Sequence, residues 1–183
     1  MTDPQHSPPD WQPTLVGETI LLRPTQAADW AEMYQAASDP LIWAVHPARD
    51  RYKEPVFRDM FETGLASGGM LSVIERSTGA IIGSSRYYGH DPERREIEIG
   101  WSFLVRRHWG GQTNAAMKRL MLDHAFRWVD SVYFRVGETN WRSRRAMEKI
   151  GGQMRDGLIA VMVNDVPQPY VVFDIRKDAT DRG

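Results

Sequence analysis

The clearest hydrophobic pattern in the chain is a strict alternation between positions 96 and 105. The apolar set is Ile97, Ile99, Trp101, Phe103 and Val105, and it alternates with Glu96, Glu98, Gly100, Ser102 and Leu104. A period of two is typical of a strand whose two faces differ in polarity. We therefore expect residues 96–105 to form a strand, with the apolar set on one face and the two glutamates on the other.

The hydrophobic period changes to that of a helix immediately after this strand. From Gln112 to Trp128, apolar residues recur every three or four positions and form one stripe. The polar side chains Lys118, Arg119, Asp123 and Arg127 fall outside that stripe. The pattern predicts a long amphipathic helix with these four side chains on its solvent face.

Shorter periodic segments predict the remaining elements of the chain. We expect strands at 18–23, 71–75, 80–87, 132–136, 158–163 and 170–175, and helices at 30–37, 55–66 and 142–150. The polar turn at 76–79 joins two strands into a hairpin, and an Asn/Asp/Pro turn joins the last two. The order β, α, α, β, β, β, α, β, α, β, β predicts an α/β (α+β) fold with a mixed, mostly antiparallel sheet and helices on its faces.

The length and composition indicate one domain. A chain of 183 residues with 42% apolar composition can bury one substantial core. The first 13 residues hold four prolines and few apolar side chains, which predicts a flexible arm at 1–14. We expect a single domain at 15–177 and a flexible tail at 178–183.

Charge and residue usage exclude several classes of function. The formal net charge of -1 gives no support to a nucleic-acid or anionic-membrane partner. The absence of cysteine excludes disulfides, cysteine-based zinc sites and a cysteine nucleophile. The five histidines lack the close spacing of a metal site, so we expect no metal. With no apolar run of about 20 residues and no secretory leader, we expect a cytoplasmic protein without a membrane partner.

The turn between the predicted central strand and the long helix carries the main candidate chemistry. It reads Arg106-Arg107-His108-Trp109-Gly110-Gly111-Gln112-Thr113-Asn114. The first turn of a helix offers free N–H groups and a positive dipole end, and glycine lets the backbone close around an anion. These properties favour a phosphate site. The alternative is that Gly110 and Gly111 only form the connection between strand and helix.

A second motif follows about thirty residues later, from Glu138 to Gly151. With both motifs in order, the sequence resembles the GNAT N-acetyltransferase superfamily, in particular its branch of ribosomal-protein-alanine N-acetyltransferases. The matching elements are an Arg-x-x-Gly turn, a helix, a strand, Asn-x-x-Ser-x-Arg and Glu-Lys-x-Gly. The resemblance spans residues 15–175. The chain departs from the usual pattern at Gln112, where glycine is common, and at Asn114, where alanine is common.

The resemblance implies a GNAT fold, splayed at the cofactor site, that binds acetyl-CoA. Backbone contacts to pantetheine would come from Phe103, Leu104 and Val105. The pyrophosphate would be bound by Arg107, Gly110, Gly111, Gln112, Thr113 and Asn114. Asn140 would contact the arm of the cofactor with Ser143 close by. Arg142, Arg144 or Arg145 could meet a phosphate; the alternative is that these arginines form an exposed, solvated helix face.

The resemblance also implies transfer of the acetyl group to a primary amine, either a protein N-terminus or a small molecule, by direct attack in a ternary complex. Glu98 is the candidate general base, acting through water; the alternative is that it lies on a solvent-facing strand surface. The family's tyrosine acid is replaced by Met147, which leaves Ser143 as the nearest substitute, or alternatively as a serine that satisfies the N-terminus of a helix.

The acceptor pocket is expected to involve the loops at 43–52 and 87–91, where His46 or His90 could assist proton transfer. A non-catalytic acyl-CoA-binding regulatory module remains the alternative function. A homodimer is left open by the sequence.

Overall fold

One mixed β-sheet organises the protein. The computed structural model describes residues 8–177. Its strands are β1 (Leu15–Val16), β2 (Ile20–Pro24), β3 (Met70–Glu75), β4 (Ile81–Asp91), β5 (Glu96–Leu104), β6 (Ser131–Gly137), β7 (Gln153–Met154), β8 (Ile159–Val163) and β9 (Val166–Arg176). They lie in the order β1-β2-β3-β4-β5-β6-β9-β7, and β8 pairs with β9. The pairing of β5 with β6 is parallel, and all other pairs are antiparallel.

Four helices in the described residues cover both faces of this sheet. They are α1 (Trp30–Ala37), α2 (Glu54–Ala66), α3 (Thr113–Ala125) and α4 (Trp141–Lys149). Met33 of α1 and Phe57 of α2 belong to one buried cluster, whereas Met117 of α3 and Met147 of α4 belong to another. The predicted mixed sheet with helices on both faces is confirmed.

Predicted and observed elements differ mainly in short segments. The strands β1 and β7 have two residues each, which is too short to give a periodic signal. The described part of the predicted arm contacts the core, because Trp11 lies 5.3 Å from Tyr87 between ring centroids. The Nε2 atom of His124 lies 2.7 Å from the carbonyl oxygen of Asp10. The predicted tail at 178–183 lies outside the described residues.

A β-bulge at Trp101 interrupts the central strand β5. Ser84 pairs with Phe103 and Arg86 pairs with Gly100, so two residues of β5 oppose one residue of β4. Trp101 adopts a φ of 50°, a left-handed conformation that is uncommon for a bulky side chain. A bulge of this kind kinks the strand and increases its local twist.

The bulge also moves later side chains of β5 to the opposite face. Ile97 and Ile99 pack in the cluster under α3, and Leu104 joins them, whereas Phe103 packs in the cluster under α1 and α2. The strict alternation predicted for residues 96–105 is therefore wrong beyond Ile99. One inserted residue shifts the period of two by one position.

The strands β5 and β6 separate near the bulge. Their parallel pairing covers Glu96 with Ser131, Ile97 with Val132 and Glu98 with Tyr133. The strand β6 then continues along β9 to Gly137, while β5 continues along β4 to Leu104. A gap opens between two strands that are each held firmly on their other side.

The contact between β4 and β5 beside the bulge predicts a strong effect of Gly83→Ala on stability. A Cβ at Gly83 would lie 2.1 Å from the carbonyl oxygen of Phe103, so the two strands would have to move apart. We expect a loss of about 1–3 kcal/mol in the free energy of unfolding, typical of overpacking, measured by urea denaturation. The neighbouring Ser84→Ala is the control, because the Ser84 hydroxyl is buried without a partner and its removal should be neutral or slightly stabilising. Equal stability of Gly83→Ala and the parent protein would contradict the close strand contact.

Candidate functional site

Two cavities meet at the gap between β5 and β6. The larger, which we call the loop cavity, has a volume of about 480 Å³ and lies between the end of β5, the glycine turn and α4. The smaller, which we call the strand cavity, has a volume of about 240 Å³ and lies between the diverging parts of β5 and β6. The residues that line both cavities are His46, Ser102, Asn114, Asn140, Ser143 and Ala146. A ligand in each cavity would therefore reach the same small set of side chains.

The glycine turn forms one wall of the loop cavity. Gly110 adopts a φ of 72°, which favours glycine, and no atom lies within 4 Å of where a Cβ of Gly111 would stand. Gln112 has the right-handed backbone that leads into α3, with φ -88° and ψ -6°. The open turn and the first turn of a 13-residue helix together present N–H groups to an anion.

Basic side chains of α4 form the opposite wall of the loop cavity. Arg142 stacks on the Trp109 ring at 3.8 Å and donates a hydrogen bond to the carbonyl oxygen of Ile42. Arg145 and Lys149 also line this cavity. Arg144 instead donates to the carbonyl oxygen of Glu138 at 2.9 Å. Opposed cations and free backbone N–H groups fit a ligand that carries phosphate groups.

The N-terminus of α4 is fixed by Asn140. This side chain is 3% exposed, and its Oδ1 atom accepts a hydrogen bond from the backbone N–H of Ser143 at 3.3 Å. Asn140 thus supplies the helix cap, a role that the sequence left open to Ser143. Ser143 itself lines both cavities.

The structure brings together some of the predicted cofactor residues and not others. The loop cavity is lined by Phe103, Leu104, Gly110, Gly111, Asn114, Asn140 and Ser143, but not by Val105, Arg107, Gln112 or Thr113. The Arg107 guanidinium lies 3.5 Å from the Glu75 carboxylate, and the Thr113 hydroxyl lies 3.1 Å from Nδ1 of His108. The backbone N–H of Val105 donates to Ile82.

Glu98 lies in the strand cavity and is 3% exposed. Its two carboxylate oxygens accept hydrogen bonds from Arg135, each at 2.8 Å. Burial raises the pKa of Glu98, and the nearby Arg135 and Arg86 oppose that rise. Gly100 leaves space for the carboxylate, since a Cβ there would lie 3.1 Å from Oε1 of Glu98. The alternative of a solvent-facing Glu98 is wrong.

Lys118 is a residue of this site that the sequence pattern missed. It was predicted on the solvent face of α3, yet it is 3% exposed and lines the strand cavity. Its Nζ atom donates to the Ser102 hydroxyl at 2.6 Å and lies 5.2 Å from the centre of the Phe134 ring. Burial lowers the pKa of Lys118 to about 7. Its position four residues after Asn114 was the available signal, because that spacing places both side chains on one helix face.

Two side chains of the predicted acceptor loop at 43–52 reach the strand cavity, namely His46 and Arg51. Burial, and then the charges of Arg51 and Arg142, lower the pKa of His46 well below its ordinary value. The other predicted loop, at 87–91, is wrong, because β4 continues to Asp91. His90 on this strand lines neither cavity and lies 5.1 Å from Trp11 between ring centroids.

Residues 8–177 form neither a metal-binding cluster nor a helix that could span a membrane. No group of three or more His, Cys, Asp or Glu side chains there is placed to hold a metal ion. Over the same residues, no helix has the length and apolar character required to cross a membrane.

Comparison with known proteins identifies a family match. Residues 19–153 match the family described as "Acetyltransferase (GNAT) domain". No curated protein sequence matches the chain.

Solved structures share the fold at low sequence identity. A probable GNAT-family acetyltransferase from Chromobacterium violaceum ATCC 12472 is 20% identical, with a TM-score of 0.81 over 96% of this chain and 90% of that chain. A GCN5-related N-acetyltransferase from Brucella melitensis is 18% identical, with a TM-score of 0.75 over 92% and 80%. Mycobacterium smegmatis RimJ in complex with CoA-disulfide is 18% identical, with a TM-score of 0.71 over 93% and 90%.

The buried environment of Lys118 predicts a pH-dependent effect of Lys118→Met on stability. The unfolded chain holds the Lys118 proton up to about pH 10.4, whereas the folded protein releases it near pH 7. The parent protein therefore gains stability from this group as the pH rises from 7 to 10, and carries the full cost of the buried charge below pH 7. Relative to the parent, the variant should be most stabilised at pH 6, by an amount that shrinks by several kcal/mol towards pH 10, at about 1.4 kcal/mol per pKa unit.

Chemical denaturation across this pH range measures the effect. The control is Lys53→Met, which removes an exposed lysine. A constant difference in unfolding free energy between Lys118→Met and the parent protein would contradict a depressed pKa of Lys118.

Proposed function

The chain belongs to the GNAT acetyltransferase family, and on that premise we propose that it transfers an acetyl group from acetyl-CoA to a primary amine by direct attack in a ternary complex. One observation carries this proposal: two cavities meet at the gap between β5 and β6 and share part of their lining. One cavity can hold the acyl carrier while the other holds the amine. Holding both reactants in line removes a large part of the entropic barrier.

The loop cavity is the proposed site of acetyl-CoA. Gly110, Gly111 and the first turn of α3 would bind the pyrophosphate through backbone N–H groups, with Gln112, Thr113, Asn114 and Arg107 at the same turn. Phe103 and Leu104 at the end of β5, and Val105 directly after it, would make backbone contacts to pantetheine, and Asn140 would contact the arm of the cofactor. When bound, acetyl-CoA supplies the activated acyl carbon.

Direct attack agrees with the residues present. The chain contains no cysteine, so a cysteinyl intermediate is excluded. Ser143 lies where both cavities meet, and we assign its hydroxyl to donate a hydrogen bond to the leaving thiolate. The acceptor is a small amine or the terminal residue of a protein, since the strand cavity has a volume of about 240 Å³.

Glu98 is the proposed general base, acting through a water molecule. Its burial favours the protonated form, so this carboxylate accepts a proton more readily than an exposed one. The bidentate pair with Arg135 fixes its orientation towards the strand cavity. Held in this orientation, the Glu98 carboxylate is the group that receives the proton lost by the amine.

Glu98→Gln tests this role, because the amide keeps the shape of the side chain and cannot take the proton. In a CoA-release assay over small amines and N-terminal peptides, we expect kcat to fall by about 100-fold or more, with the Kd for acetyl-CoA unchanged. Glu96→Gln is the matched control, because Glu96 pairs with Arg155 and lines neither cavity.

Two results would count against the proposal. Unchanged turnover in Glu98→Gln would remove Glu98 as the base. Measurable binding of acetyl-CoA without CoA release for any amine tested would instead favour the non-catalytic binding module.

The assignment of the glycine turn is tested at Gly111, where a side chain can be added without a clash or a positive φ. Gly111→Asp places a negative charge beside the proposed pyrophosphate, and Gly111→Asn places a neutral side chain of nearly the same size there. We expect the Kd for acetyl-CoA, measured by calorimetry, to rise about tenfold or more for the Asp variant, because repulsion between two close charges at a protein surface is worth about 1–4 kcal/mol. The rise should be clearly smaller for the Asn variant. Equal affinities of the two variants would contradict the phosphate site.

A further inference from the structure

Two polar side chains face each other at the wall of the strand cavity without an acceptor between them. Nη1 of Arg51 lies 3.2 Å from Nε2 of His46. A guanidinium can only donate hydrogen bonds, so a favourable contact would require Nε2 of His46 to accept. The position of the imidazole proton therefore decides whether His46 can accept a hydrogen bond from Arg51.

The other ring nitrogen fixes the position of the imidazole proton. Nδ1 of His46 accepts a hydrogen bond from the backbone N–H of Ala48 at 2.9 Å. An accepting Nδ1 carries no hydrogen, so the neutral ring has its proton on Nε2. Arg51 and His46 thus bring two N–H donors within 3.2 Å of each other, and no acceptor among residues 8–177 satisfies either donor at that place.

The charges around the strand cavity favour a negative group at that place. Among residues 8–177, no carboxylate lies within ion-pair distance of Arg51. Glu98 lines the same cavity, but both its oxygens are bound by Arg135. The nearby Asp50 carboxylate instead contacts the amide of Asn164 at 3.3–3.4 Å.

Burial makes this arrangement costly without a ligand. The pKa of Arg51 is lowered chiefly by burial, although Tyr170 and Asp50 oppose that effect. Lys118 on the same cavity wall contacts a hydroxyl and no carboxylate. The guanidinium carbon of Arg51 lies 5.6 Å from the centre of the Trp43 ring, a contact that does not neutralise its charge. A partly buried cation without a carboxylate partner destabilises a protein unless a bound anion compensates it.

We propose that the acceptor amine carries an oxyanion group, a carboxylate or a phosphate, that is bound by Arg51 and by Nε2–H of His46. This inference rests on the proposed acetyl transfer and names its substrate class. The planar fork of a guanidinium suits both oxyanions, because two parallel N–H groups can bind two oxygens at once.

The position of the pair also limits the length of the acceptor. His46 lines both cavities, so the oxyanion lies beside the side chains where transfer takes place. The amine to be acylated must then be only a few bonds away from its anionic group. Amino acids and short amino phosphates meet this requirement.

The test compares amines that differ only by the anionic group. The pairs are alanine with ethylamine, methionine with 3-(methylthio)propylamine, phenylalanine with phenethylamine, and phosphoethanolamine with ethanolamine. In at least one pair, kcat/KM of the anionic member should exceed that of its partner by about tenfold or more, as expected for hydrogen bonds to a charged group. The pair that shows this preference distinguishes a carboxylate from a phosphate.

Variants at Arg51 show whether this side chain causes the preference. Arg51→Met should abolish it, because KM for the anionic amine should rise far more than KM for the neutral amine. Arg51→Lys should retain part of it. Arg49→Met is the matched control, because Arg49 lies in the same loop, is exposed and lines neither cavity.

Anion binding can also be measured without turnover. Addition of N-acetylphenylalanine, N-acetylmethionine or N-acetylphosphoethanolamine should raise the pKa of His46 in an NMR titration of the imidazole, and N-phenethylacetamide should not. If neutral amines react as well as anionic ones and no acetylated acid shifts His46, the inference is overturned and the acetyltransferase proposal stands. If no amine of either kind reacts, the acetyltransferase proposal fails, and the NMR titration alone decides whether the anion site exists.

Discussion

The site depends on one constraint of the sheet, the separation of β5 from β6 after the pair of Glu98 and Tyr133. Each strand is held on its other side by an antiparallel neighbour, so neither can move to close the gap. The bulge at Trp101 adds the kink that turns β5 away. The result is a cleft that splits the sheet, with the glycine turn at one end and a pocket with buried charges at the other. Both halves of the proposed reaction use this single cleft.

The cleft explains why charged side chains are buried in a protein whose net charge is only -1. Water cannot fully solvate Glu98, Lys118 or Arg51, and the burial of each charge has a different consequence. Glu98 is paired with Arg135, Lys118 has its pKa lowered to about 7, and Arg51 faces the N–H donor of His46. The cost of burying such groups is typically recovered at a site where a ligand or a reacting atom completes the arrangement. We interpret this part of the cleft as the acceptor side for that reason.

Much of the fold could be predicted from the sequence, because most elements are long enough to show their own period. The helix before Ser38 and the hairpin around Gly79 are examples. The wrong predictions have one physical cause. The hydrophobic period shows which side chains share a face of a helix or strand, but it does not show what that face packs against in the folded protein. A single inserted residue at Trp101 reversed the faces of β5, and Lys118 was assigned to solvent although its helix face meets a cavity. The contact between the N–H donors of Arg51 and His46 is a feature of the folded loop that no hydrophobic period predicts.

The central claim is that the carrier and the acceptor meet where the two cavities share their lining. A crystal structure with bound acetyl-CoA tests it most directly. We predict that the pyrophosphate lies on the turn at Gly110 and Gly111, and that the acetyl group lies beside Asn140 and Ser143 at the opening of the strand cavity. An acetyl group placed on another face of the sheet, away from Ser102, would contradict the account.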